Sequence, residues 1–193
     1  MRLLKNGDTT HCRQRDMGEM TKVFSGRVLS EWIDYNGHMG DYAYAIIFSD
    51  ALTSFMGMIG VDAAYRSRTH CTIYTLEIRI AYLNECHLGQ KFHVVQQILD
   101  SDSKRFHVFL SMIDGETGQE LAVCEQLLMH MQQSPDAPPK SKPFPEDVAE
   151  RLSQYREREA GLAIPDWVRS KIGIRRRTPT TTVERQRHGL QRR

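Results

Sequence analysis

Apolar residues recur in two distinct periods along the middle of the chain. Residues 23–29 alternate apolar and polar side chains, the period of a half-buried strand. Over 41–60, Ala45, Ile46, Phe48, Leu52, Phe55, Met56 and Ile59 fall at helical spacing, and Gly60 supplies a stop. That helix is apolar around much of its circumference and carries few charges, which predicts burial beneath a sheet. Strand-like runs follow over 71–82, 91–99, 105–113 and 120–131. Gly89, Ser101-Asp102-Ser103 and Asp114-Gly115-Glu116-Thr117-Gly118 provide the turns between them. One strand, a long buried helix and then an antiparallel meander predict an α+β fold, a curved sheet wrapped around its helix.

The expected domain spans 21–133. Residues 134–168 then read as a proline-rich linker without regular structure over 135–145, followed by a short amphipathic helix. Pro145-Glu146-Asp147 opens that helix, which runs to about residue 158 and has proline and acids in its first turn. Residues 1–20 read as an unstructured extension and 169–193 as a basic, disordered tail.

Composition narrows the class. A chain of 193 residues with 40% hydrophobic content suits one globular domain. No apolar run approaches the ~20 residues that span a bilayer, and no charged-then-apolar leader opens the chain, so no membrane partner is expected. Cys12, Cys71, Cys86 and Cys124 are scattered without a Cys-x-x-Cys pair, which predicts reduced thiols and a cytoplasmic protein. The net charge of +2 conceals an acidic body, with 13 Lys and Arg against 20 Asp and Glu over 21–168, and a tail with 9 against 1. The tail lacks interleaved aromatics and accompanies no folded nucleic-acid module, so nucleic acid is not an expected partner.

Chemistry concentrates in Trp32-Ile33-Asp34-Tyr35-Asn36-Gly37-His38-Met39-Gly40-Asp41-Tyr42-Ala43-Tyr44. A lone carboxylate, Asp34, lies in a glycine-containing loop that leads directly into the predicted helix. Helix N-termini present unpaired N–H groups and the positive end of a macrodipole. A carboxylate beside one acts as base or nucleophile while the amides hold a developing oxyanion. His38 reads as a support of this loop, and Asn36 as a group that positions a water or the aspartate.

The pattern Asp-x-x-Gly-His-Met followed by Tyr resembles the hotdog-fold acyl-CoA thioesterases of the 4-hydroxybenzoyl-CoA thioesterase-like group. The resemblance implies that Asp34 is the catalytic carboxylate and that the N–H near Asp41 polarises the thioester carbonyl. Relatives often carry Asn where this chain has Gly40 or Asp41. A wider run resembles the betainyl-CoA thioesterases of carnitine breakdown. It comprises Asp34-Tyr35-Asn36-Gly37-His38-Met39 with Asp41-Tyr42-Ala43-Tyr44, then Tyr74-Thr75-Leu76-Glu77, Tyr82-Leu83-Asn84-Glu85 with Gly89, Lys104-Arg105-Phe106-His107 and Glu125-Gln126-Leu127-Leu128-Met129-His130. A trimethylammonium acyl group needs aromatic faces and a carboxylate. Trp32, Tyr35, Tyr42, Tyr74, Phe106 and Glu77 are the residues expected to supply them. The resemblance further implies an acyl-CoA substrate and a homodimer, or a tetramer built from it, with CoA across the dimer interface.

Glu77 and Arg79 share one face of their strand, as a solvent-facing ion pair or as part of a strand crossing the partner's site. Glu125 and His130 read as site residues or as an exposed strand face. The six histidines of the predicted domain, His38, His70, His87, His93, His107 and His130, show no i, i+4 or Cys/His zinc spacing. No metal or cofactor is expected beyond the CoA of the substrate. Two rival classes remain: a hotdog enoyl-CoA hydratase using His38 with Asp34, and a non-catalytic acyl-CoA-binding protein.

Overall fold

The computed structural model describes residues 19–169. The expected N-terminal extension and basic tail lie, but for their edges, outside the described residues. Strand β1 (Thr21–Arg27) precedes a 3-10 turn at Ser30–Trp32 and helix α1 (Asp41–Met58). A short helix α2 (Ala63–Thr69) leads into β2 (Cys71–Tyr82), β3 (Lys91–Ser101), β4 (Arg105–Asp114) and β5 (Glu120–Ser134). A short β6 (Ala137–Ser141), helix α3 (Glu146–Glu159) and a 3-10 turn at Asp166–Arg169 complete the order. The strands form one antiparallel sheet ordered β1-β3-β4-β5-β2, with β6 joined to β5. This is the hotdog arrangement, a curled sheet around a central helix.

Helix α1 buries Ala43, Tyr44, Ile47, Phe48, Ala51, Leu52 and Phe55, an i, i+3, i+4 stripe. Together with Val94, Ile98, Phe106, Val108, Leu110, Met112, Cys124 and Leu128 from the meander they make the core. The phenyl ring of Phe55 meets Phe106 of β4 at 6.2 Å and Tyr155 of α3 at 5.2 Å, both edge to face. Helix α3 is thereby drawn onto the same core through Val148 and Leu152. Its last residue, Glu159, accepts hydrogen bonds from the Ile98 N–H and the Thr21 hydroxyl, each at 2.7 Å, tying it to β3 and β1.

The structure departs from the sequence reading in two places. The proline-rich stretch is not a structureless linker, because β6 pairs with the end of β5 (Met131↔Ser141, Ser134↔Ala137). Pro138 and Pro139 fit there because an edge strand tolerates residues that cannot donate to a ladder. Helix α2 was not expected; the Asp62 carboxylate caps it by accepting the Tyr65 N–H at 2.7 Å. The sheet wraps α1 as expected, while Tyr42, Ile46 and Met58 on its far side are each 40% or more exposed within one chain.

Candidate active site

The Asp34 loop is a tight reversal closed by backbone geometry. Ile33 and Met39 form a β-bridge across it, and the Asp34 N–H donates to the His38 carbonyl at 2.9 Å. The Gly37 N–H returns to the Asp34 carbonyl at 3.0 Å, with Gly37 at φ +80°, a conformation that side chains resist. At its tip the Asp34 carboxylate accepts the Asn36 backbone N–H at 2.7 Å and the Asn36 side-chain amide at 3.4 Å. Asn36 therefore orients the aspartate. Two more hydrogen bonds fix the exit into α1: Gly40 N–H to the Trp32 carbonyl, and Met39 N–H to the Cys86 carbonyl, each at 2.8 Å. The second ties the motif to the β2–β3 loop.

Between that loop and the first turn of α1 lies an open cavity of about 270 Å³, lined by His38, Met39, Asp41, Tyr44, Tyr82, Leu83, Asn84 and Glu85. Gly40 is the N-cap of α1, and the N–H of Asp41 has no acceptor among the described residues. It is a free donor at the positive end of the helix. The Tyr44 and Tyr82 rings meet edge to face at 5.1 Å. Burial pushes the Tyr44 phenol far above its ordinary range, and the hydrogen bond that its hydroxyl donates to the Cys86 sulfur adds to this. The Tyr82 phenol is raised by burial and then by the negative charge of Asp41. Both phenols are neutral at physiological pH. Two uncharged aromatic faces thus stand beside the carboxylates of Asp41 and Glu85.

The fold gathers some predicted site residues and separates others. His38 and Asp41 line the cavity; Asp34 and Asn36 sit at the head of the loop that carries His38. Phe106, expected to contact substrate, is 1% exposed and packs against Phe55 and Phe144 in the core. Tyr35 is 97% exposed at the turn tip. Tyr42 lies over Gly40, donates to the Glu31 carbonyl at 2.7 Å and does not line the cavity; its neighbour Tyr44 does. Trp32 packs half-buried against the core, and Tyr74 accepts from the Gln133 amide at 3.0 Å. Within one chain, the six proposed cation-binding residues are not assembled. Tyr44, Tyr82 and Glu85 form a smaller group of the same chemistry; the 82–85 run was the sequence signal for the last two, without any sign that it faces Tyr44 at the helix N-terminus.

Glu77 and Arg79 do share a face of β2, but on the side of the sheet that carries His107, Glu125 and Leu127. Arg79 pairs with Glu125 at 2.5 Å rather than with Glu77, and its guanidinium stacks on Trp167 at 3.9 Å. Glu125 also meets His107 at 2.8 Å. His130 is wholly buried, not on an exposed strand face: it accepts from the Tyr65 hydroxyl and donates to the Lys142 carbonyl, each at 2.8 Å. Sequence spacing also missed a cluster. His38 and the neighbouring pair Glu85 and His87, distant from it in the chain, come together with one ligand atom each within 4.8 Å of the others.

The model of the thioesterase-like superfamily matches residues 28–152. The chain is 35% identical to a betainyl-CoA thioesterase from Pseudomonas aeruginosa, over 82% of this chain and 98% of that protein. It is 36% identical to an L-carnitine dehydrogenase/betainyl-CoA thioesterase from Rhizobium meliloti, covering 80% of this chain and 30% of that longer protein. Among solved structures, a Staphylococcus aureus protein in complex with CoA superposes with a TM-score of 0.75 at 32% identity, covering 82% of this chain and 98% of that one. On the matched span, the end-to-end relatives and the fold, this chain belongs to the thioesterase-like superfamily.

Proposed function

We propose that this acyl-CoA thioesterase hydrolyses betainyl-CoA to betaine and free CoA, working as a homodimer. The observation that carries the reading is the match to a betainyl-CoA thioesterase over 98% of that protein's length. The cavity supports it, because a trimethylammonium group seats against aromatic faces and carboxylates, and Tyr44, Tyr82, Asp41 and Glu85 offer both. No observation separately favours the hydratase or the non-catalytic sensor.

In the proposed reaction the thioester carbonyl rests at the N-terminus of α1, with its oxygen toward the free Asp41 N–H. Asp34 either attacks the carbonyl, forming an anhydride that water then opens, or takes a proton from the attacking water. In both routes the carbon–sulfur bond breaks, CoA leaves as thiolate and is protonated, and one water is consumed. His38 holds the loop in place. The chemistry needs no cofactor beyond the substrate's own CoA.

The open edge of β2 supports the homodimer. Among the described residues this strand pairs only with β5, and Leu76, Ile78, Tyr82 and Leu83 along and just beyond it are 45–53% exposed. A long apolar edge of this kind is a template for a second strand. Cys71, Cys86 and Cys124 are free and buried, which suits a reducing compartment such as the cytoplasm. Among the described residues no single helix is long and apolar enough to cross a membrane.

The substrate is tested by comparing betainyl-CoA with an uncharged short-chain acyl-CoA in Glu85→Gln and Tyr82→Leu. Each variant should raise KM for betainyl-CoA by about 2- to 30-fold, the range of a cation–π or charge contact, and leave the uncharged substrate nearly unchanged. Equal effects on both substrates would contradict a cation-binding role for the cavity.

A further inference from the structure

We infer that His38, Glu85 and His87 form a site for a zinc ion, and that zinc bound there shuts the thioesterase cavity; the second half rests on the reading of that cavity as the active site. Two imidazoles and one carboxylate are a zinc donor set, three protein ligands that leave a fourth position open. With zinc–ligand distances of roughly 2.0–2.1 Å, the edge of a tetrahedral site is about 3.3 Å long. The His38 Nε2 to Glu85 Oε2 distance is 3.3 Å, so this edge already has the length that a shared ion imposes. The third ligand atom, from His87, lies within 4.8 Å of the other two. The rings of His38 and His87 stand at 72° with centroids 5.0 Å apart, an edge-to-face pose that leaves room for nitrogen lone pairs to converge.

The backbones that carry these ligands are already fixed. Met39 N–H to the Cys86 carbonyl at 2.8 Å joins the two loops between the ligands. The His87 N–H donates to Gln90 Oε1 at 2.9 Å. Glu85 and His87 are exposed, so closing the remaining gap needs only side-chain rotation. Both His38 and Glu85 line the cavity, whereas His87 stands outside it. An ion held by all three would withdraw the carboxylate proposed to face the cationic acyl group. It would also place positive charge where that group must bind.

The test uses the full chain without an affinity tag, titrated with zinc chloride by calorimetry, as wild type and as His87→Ala. Wild type should bind one zinc ion in this site, and His87→Ala should bind it at least about tenfold more weakly. Thioester cleavage, followed by loss of thioester absorbance because free CoA itself binds zinc, should be inhibited in wild type at zinc levels that spare His87→Ala. With a chelator present the two proteins should turn over alike. Absence of binding to wild type, or binding undiminished in His87→Ala, would overturn the site. Zinc activation, or equal inhibition of both proteins, would overturn its effect on the cavity. If no thioester is cleaved by either protein, the calorimetry still decides the metal site, and the fault lies with the functional reading.

Discussion

Asp34 keeps its carboxylate at the tip of a turn, aimed by the Asn36 backbone amide at 2.7 Å and more loosely by the Asn36 side chain at 3.4 Å. These contacts predict two different sensitivities. Asp34→Asn removes the base or nucleophile and should lower kcat by at least about 100-fold with little change in thermal midpoint. Asn36→Ala keeps the shorter, backbone hydrogen bond and should cost less than about tenfold. Near-normal turnover in Asp34→Asn would remove the residue from the mechanism. The loop was legible in sequence because its residues are contiguous: one aspartate, a glycine at positive φ and a histidine before a helix. The acyl pocket was not, because an aromatic residue reads the same whether it faces solvent, cavity or core. Phe106 and Tyr35 show the two failures, one sealed in the core and the other fully exposed. Tyr44 and Tyr82 meet only because α1 and β2 do.

At the scale of elements, the two hydrophobic periods predicted α1 and five strands, since period and burial are coupled through the pleat and the helical turn. Helix α2 was too short to show a period, and its signal was a single capping aspartate, Asp62. Strand β6 was masked by its prolines, which an edge position accommodates. The joint between α1, β4 and α3 is Phe55, wholly buried between Phe106 and Tyr155. Phe55→Ala should lower stability by about 3–5 kcal/mol, read by denaturant unfolding, because it leaves a cavity in a wholly buried part of the core. The β4–β5 turn carries its own pH dependence. The Asp114 carboxylate is held well below the usual range, first by the Thr117 N–H, then by the Gln90 amide and the Glu116 N–H. A depressed folded-state value contributes stability that is complete above the ordinary aspartate value of about 4 and fades as pH falls below it. Thermal melts from pH 7 down to pH 3 should show Asp114→Asn losing less stability than wild type at the acid end. An identical acid limb would contradict this assignment.

For the whole molecule, an acidic body, a half-open α1 and a β2 edge unpaired among the described residues suit the proposed dimeric enzyme for a cationic acyl thioester. Wild type should sediment as the proposed dimer, and Ile78→Lys, which puts a charge on that edge, should sediment as a monomer. A dimer unaffected by Ile78→Lys would move the interface elsewhere. The substrate is the central claim, and CoA release measures it most directly. A thiol reagent would report release from betainyl-, short aliphatic, long aliphatic and aromatic acyl-CoAs, with wild type and Asp34→Asn run in parallel. The account predicts cleavage selective for betainyl-CoA and abolished in the variant. Cleavage of the other thioesters with betainyl-CoA left intact would contradict it.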